Sequence, residues 1–227
     1  VLSAPILPIS CRNRRINRFR LNPCRTAGYT VVSTQMKGDY CMTYPDVFSL
    51  THAARSIRAF DSSRPIDSDT LRYLVDCARL TPSAANLQPL KYRIVEGDEA
   101  ARILPLTRWA GYLKDKQLPP DGMAPSGYIV ICHDLAVCER SEYSTMDAGI
   151  AAQTVNLAAR ERGFGTCMIG SFEHDAVAEL LLLPRTVEPL LVIALGTPAE
   201  SPIICSLPSD GSTRYFRDDA DLHFVPK

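Results

Sequence analysis

Apolar and polar residues follow different periods along this chain, and each change of period marks an element. Between Ser68 and Leu80, the residues Leu71, Leu74, Val75 and Ala78 recur at i, i+3, i+4 and i+7, a helical stripe that Asp67 or Ser68 is placed to cap. Pro82 disfavours helix at Thr81 and stops it there. Leu90 to Glu96 then reads as a strand. Upstream, Asp46 caps a predicted helix through Val47, Leu50 and Ala54. Ala100 to Lys116 reads as helical with an interruption at Pro105, Leu118 to Gly127 as a Pro- and Gly-rich loop, and Tyr128 to Cys132 as a second strand. Thr145 to Arg162 is the longest predicted helix. Its Met146, Ala148, Ile150, Ala151, Val155, Leu157 and Ala159 lie almost all round it, so most faces need cover, and in a chain this size that points to a second subunit. Thr166 to Ile169 is a short extended piece, Glu173 to Leu183 a helix closed by Pro184, and Pro189 to Leu195 a strand. The tail from Pro198 to Lys227 has mixed polarity and is expected to wrap the surface or a partner. Helices separated by short strands, with no regular alternation, predict an α+β fold.

Composition divides the chain. It has 227 residues, 25 basic and 25 acidic, and a formal net charge of zero, which argues against an overall nucleic-acid-binding character. Residues 1 to 38 hold six arginines and one lysine and no acid, so the remaining eighteen basic residues face all 25 acids and residues 39 to 227 carry about −7. The favoured reading is a basic, disordered and functionally empty arm over residues 1–40, ahead of a folded domain at 45–227. An RNA-binding tail, an organelle presequence, or an extension upstream of a native start at Met36 or Met42 stay open beside it. No apolar run approaches the roughly 18 residues that span a membrane. The eight cysteines form no Cys-x-x-Cys pair and the four histidines no His-x-x-x-His pair, so no metal site is expected and a reducing, cytoplasmic setting is the simpler reading.

Chemistry concentrates at Pro82-Ser-Ala-Ala-Asn-Leu-Gln-Pro89, a polar turn between the helix and the strand. On local composition alone it is either a turn in which Ser83 and Asn86 satisfy nearby backbone groups or a turn with free amides for a ligand. Arg55-Ser56-Ile57-Arg58 lies about twenty-five residues earlier, before Phe60, and Gly163-Phe-Gly165-Thr-Cys-Met-Ile-Gly170 lies later. In order and spacing the three together resemble the signature of the FMN-dependent nitroreductase family, over roughly residues 45 to 227. The resemblance implies a mixed, mainly antiparallel sheet sandwiched by helices in an intertwined homodimer.

It also implies a division of labour. Arg55, Ser56 and Arg58 would hold the FMN phosphate, a task suited to the planar guanidinium fork, and Lys227 matches a basic position near the family's C-terminus. The family pattern often begins Arg-Arg-Ser where this chain has Ala54-Arg55-Ser56. Pro82, Ser83, Ala84 and Asn86 would line one side of the isoalloxazine, in the site built mainly by the other chain. Met168, Ile169, Gly170 and Ser171 would lie on the other side, with the Gly170 amide facing N5; relatives often carry tryptophan where Met168 stands. Gln88 reads as holding the loop, and Asp147 as a first-turn acid aligned with its helix dipole.

The sequence carries no complete nucleotide-binding fingerprint. Gly163-x-Gly165 meets Met168 where a dinucleotide fold needs its third glycine, and no P-loop is present. NADH or NADPH, as the electron donor the resemblance implies, would then stack directly on the flavin. The flavin performs the redox chemistry, so no catalytic side chain is nominated. The expected function is transfer of reducing equivalents from NAD(P)H through FMN to a small-molecule acceptor, a nitroaromatic, quinone or related compound. A flavin store or sensor without turnover, or a specialised member such as a reductive dehalogenase, remains the alternative.

Overall fold

The structure is a computed structural model that describes residues 22–26, 29–33, 46–113 and 115–227. It separates into two units, 1–44 and 45–227. In the first, β1 (Asn22–Thr26) and β2 (Tyr29–Ser33) pair antiparallel, Cys24 opposite Val31. The arm expected over residues 1–40 otherwise lies outside the described residues.

In the second unit the elements run α1 (Val47–Ala53), α2 (Ser68–Arg79), β3 (Leu90–Glu96), α3 (Asp98–Ile103), β4 (Gly127–Asp134), α4 (Glu142–Glu161), β5 (Gly165–Ile169), α5 (His174–Leu180), β6 (Val187–Gly196), β7 (Ile203–Cys205), β8 (Phe216–Arg217) and β9 (His223–Pro226). The order β3-β4-β6-β5 makes a four-stranded antiparallel sheet, and the tail adds a small sheet, β7-β9-β8. This is the α+β architecture the sequence predicts.

β4 is an unbroken apolar run because both of its faces are covered. Ile129 and Ile131 meet Leu71 and Leu74 of α2 and Ala151, Ala152 and Val155 of α4. Tyr128, Val130 and Cys132, on the opposite face, meet Ala100 and Ile103 of α3, Val177 of α5, and Ile57 and Phe60. Side-chain caps start the helices where the sequence places them. Asp46 accepts from the Ser49 amide at 3.0 Å and Asp67 from the Thr70 amide at 2.7 Å, so Asp67 rather than Ser68 is the cap of α2.

Two expectations change. The helix read over residues 100–116 ends at Ile103, with one further tight turn at Leu104–Leu106. Beyond Pro105 the backbone bonds to distant segments instead: Thr107 bridges to Phe172 and the Arg108 amide donates to the Ser171 carbonyl at 2.9 Å. α4 begins at Glu142, capped reciprocally by Ser141 and Ser144, three residues before the expected start. Nor is it buried all round. Ala148, Ala151, Ala152, Val155 and Ala159 face the core, while Tyr143, Met146 and Ile150 stay 57%, 57% and 42% exposed.

Candidate functional site

Beyond α1 the chain straightens, and residues 56–61 fasten themselves between two neighbours. The Ile57 amide donates to the Thr166 carbonyl of β5 at 2.8 Å. The Asp61 amide donates to Thr197 at 2.8 Å, and the Ala199 amide to Ala59 at 2.9 Å. Glycine makes the approach possible: a Cβ on Gly165 would stand 2.6 Å from Ile57 Cγ1, and one on Gly196 would stand 2.9 Å from Phe60 Cδ1. The Arg-Ser-x-Arg cluster is therefore an added edge of the sheet, and Arg58 is a buried residue rather than a solvated helix end.

Extended backbone presents alternate side chains to one side. Ser56 and Arg58 from this edge, Thr166 and Met168 from β5, and His223, Val225 and Lys227 from the tail converge on one cavity of about 280 Å³. Gln153 and Asn156, three apart on α4, close another wall, with Ala54, Arg55 and Tyr215 at the margins. Thr166 Oγ1 donates to Asn156 Oδ1 at 2.7 Å, and Asn156 Nδ2 donates to Gln153 Oε1 at 3.2 Å. Arg55 turns back to α1 and gives Nη2 to the Thr51 carbonyl at 2.7 Å.

Charge at the cavity is unbalanced towards positive. The Arg58 amide and Arg217 Nη2 both donate to the Glu200 carboxylate. The Arg58 guanidinium packs over the Tyr215 ring, 4.5 Å from its centroid, and gives Nη1 to His223 Nε2 at 3.2 Å. Among the described residues its Nε is buried without a partner. Burial, then the charges of Arg58 and Arg217, push His223 down to about 4, so the imidazole is neutral at neutral pH. Burial pushes the nearby Cys167 thiol up to about 11, so it is no ready nucleophile.

The Pro82–Pro89 loop stands apart from this cavity. Pro82 and Ser83 line a separate space of about 30 Å³ with Gln88, Tyr92 and Asp147. Ser83 Oγ donates to Asp147 Oδ2 at 2.6 Å, and the Ala84 amide to Oδ1 at 3.1 Å. Asp147 thus lies in the second turn of α4, buried, and anchors the loop; it is not the first-turn acid expected. Ala85, Asn86 and Gln88 all have positive φ, at 49°, 54° and 53°. Such strain clusters at functional sites and persists only where its surroundings enforce it. Gln88 holds the loop as expected, its amide donating to Ser83 Oγ at 3.0 Å and its Nε2 to Asn86 Oδ1 at 3.0 Å.

Within one chain, then, Arg55, Ser56, Arg58, Met168 and Lys227 come together. Pro82, Ser83, Ala84 and Asn86 form a second group away from them. Ile169 points into the core, while Gly170 and Ser171 lie just past β5, outside the cavity walls.

The family profile described as "Nitroreductase family" matches residues 52–125 and 130–197, which takes in the Pro82–Pro89 loop, Arg55, Ser56, Arg58 and Met168, and ends before Lys227. The chain belongs to the nitroreductase family. One relative of this nitroreductase-family chain is a Methanothermobacter thermautotrophicus protein provisionally named an NADH dehydrogenase/NAD(P)H nitroreductase, 28% identical over 69% of this chain and 80% of its own length. Another is the oxygen-insensitive NADPH nitroreductase of Salmonella typhimurium, 30% identical over 65% of this chain and 64% of its own. A Desulfovibrio desulfuricans nitroreductase, so named provisionally and solved in complex with FMN, shares the fold at a TM-score of 0.58 and 21% identity, covering 74% of this chain and 95% of that one.

The cavity residues fit a phosphorylated flavin. The cavity lining holds the cationic side chains of Arg55, Arg58 and Lys227, the Ser56 hydroxyl and the Gln153 and Asn156 amides, a donor set suited to an anion. His223, Tyr215, Gln153 and Asn156 line the cavity and Glu200 holds the Arg58 amide; the sequence reading passed over all five. For His223 a signal existed: it stands two and four residues before Val225 and Lys227, the period of a strand, in a tail left unassigned.

Proposed function

We propose that this nitroreductase-family chain is an FMN-dependent oxidoreductase that passes reducing equivalents from NADH or NADPH to a nitroaromatic, quinone or related small acceptor. The observation that carries the reading is the cavity that gathers Arg55, Ser56, Arg58, Met168 and Lys227, three cations among them. FMN, when bound, supplies the redox chemistry. Arg55, Ser56, Arg58 and Lys227 would hold its phosphate, and Gln153 and Asn156 offer amides to its polar chain. In this reading Met168, Ile169, Gly170 and Ser171 lie along one side of the ring.

The active unit in this reading is a homodimer in which Pro82, Ser83, Ala84 and Asn86 complete the partner's site. Two features support it: the loop stands away from the cavity of its own chain, and α4 leaves Met146 and Ile150 exposed. A cytoplasmic setting belongs to the same reading, supported by the free thiols of Cys77, Cys132, Cys138, Cys167 and Cys205. Among the described residues no helix is long and apolar enough to cross a membrane.

Anaerobic titration of the flavin-loaded protein with NADH and with NADPH tests the enzyme reading. Bleaching of the flavin absorbance by either donor, and its return on adding a nitroaromatic or quinone, is the expected result. A flavin that neither donor reduces would identify a store or sensor instead. For the shared site, Arg55→Ala/Arg58→Ala chains are mixed with Asn86→Ala chains and their subunits exchanged. One intact flavin site per heterodimer is expected; no recovery after proven exchange would refute sharing.

A further inference from the structure

We infer that His223 is a positioning residue that aims the Arg58 guanidinium into the cavity while leaving its charge available to the cavity's occupant. Arg58 is 8% exposed and stems from an extended edge, so its long side chain needs fixed partners to hold one direction. Three partners are present. Its backbone amide donates to Glu200 Oε1, its guanidinium packs on Tyr215, and Nη1 donates to His223 Nε2 at 3.2 Å.

The chemistry of each partner differs in a way that matters. Arginine is a donor only, so His223 Nε2 must be the acceptor and the ring proton must sit on Nδ1. Among the described residues that nitrogen has no hydrogen-bond partner; Glu200 Oε2, 3.8 Å away, is beyond hydrogen-bond reach. Glu200, the carboxylate in the cluster, gives its oxygens to a backbone amide and to Arg217. It therefore does not neutralise the Arg58 guanidinium by a direct contact. A carboxylate at position 223 would orient Arg58 equally well and cancel its charge; a neutral imidazole orients it and cancels nothing. Tyr215 acts in the same sense, since a ring face guides a guanidinium without a counter-charge. The tail sheet β7-β9-β8, distant in sequence from Arg58, thereby becomes part of the ligand site.

This inference rests on the FMN reading, and its test separates the two. FMN is titrated into the cofactor-stripped wild-type dimer and into His223→Gln, His223→Phe, Arg58→Ala and the Arg58→Ala/His223→Phe double variant. Each stripped protein's melting temperature is checked first. Glutamine places an acceptor where Nε2 was, and phenylalanine fills the volume without one. His223→Phe should weaken FMN binding about tenfold, the scale of one lost hydrogen bond to a charged group. His223→Gln should stay within about threefold of wild type, and His223→Phe should cost nothing further once Arg58 is gone. The inference is overturned if His223→Phe binds like wild type, if glutamine rescues nothing, or if the loss persists without Arg58. Wild-type protein that binds no FMN would overturn the cofactor reading and this inference with it. Should His223→Phe not fold, nitrogen NMR of the wild-type imidazole decides: a neutral ring protonated at Nδ1 supports the inference, and one protonated at Nε2 refutes it.

Discussion

Ser83 and Asp147 meet at 2.6 Å, hydroxyl to carboxylate, and so fasten the Pro82–Pro89 loop to the buried side of α4. The same carboxylate also takes the Ala84 amide, so one side chain satisfies the loop's entry. Replacing it with alanine strands both donors. Asp147→Ala should lower stability by about 1.5–3 kcal/mol, the range for hydrogen bonds to a charged group, read as a lower denaturant midpoint. If the loop serves the partner's flavin, FMN occupancy falls as well. An unchanged midpoint would show the loop holds its form without Asp147.

Acid should weaken the fold through His223 before it reaches most carboxylates. The histidine is held near 4 in the folded chain against an ordinary value of 6.5, by burial first and then by Arg58 and Arg217. Between those values the unfolded chain binds the extra proton. Stability from this group is thus complete above about pH 6.5 and is lost as pH falls towards 4. Glu200 faces the ring at 3.8 Å. Asp61, lowered to about 2 chiefly by the Ser63 hydroxyl, acts only below its ordinary 3.8, outside that window. Denaturant midpoints taken from pH 7 to 4.5 should fall for wild type and fall less for His223→Gln.

Gly165→Ala should damage both fold and site. The new methyl would stand 2.6 Å from Ile57 Cγ1 and 3.2 Å from Pro198 Cβ, inside contact distance on two sides. Overpacking of this kind costs about 1–3 kcal/mol. Because Ile57 lies between Ser56 and Arg58, the displacement passes directly into the cavity. Thermal melts and FMN titration should both register it. At Gly149 a Cβ meets nothing within 4 Å, so Gly149→Ala supplies the contrast within a single chain.

In the proposed homodimer, Met146→Asp/Ile150→Asp should release monomers and abolish flavin binding together. The two side chains form an exposed apolar strip on α4, and a charge at either would be desolvated in an interface. Light scattering and flavin absorbance on the same sample read both effects. Monomers that retain flavin would separate assembly from the site.

Deleting residues 1–38 should leave melting temperature and flavin content unchanged. Among the described residues, both apolar clusters of the second unit are built from Ile57 onward.

Most elements of the folded unit were legible because their patterns are local. α2 and β3 carry clean helical and strand periods between proline punctuation, and they appear where the sequence puts them. Thr107 to Lys116 was misread because its order comes from Phe172, Ser171 and the tail, partners no local pattern reveals. Arg55, Ser56, Arg58, Met168 and Lys227 were legible by motif, and the structure gathers them. Glu200 and His223 were not, since each is defined by its distance from Arg58, 142 and 165 residues away along the chain. Asp147 was noticed, yet its role depended on the true start of α4.

The zipped edge at residues 56–61 has one more consequence. Its backbone is bonded on one side to β5 and on the other to the segment after β6, by bonds that belong to the fold itself. Arg58 therefore rides on backbone that folding has already immobilised, and association has little chain left to order there. Docking at this wall is closer to inserting a key than to closing a hand.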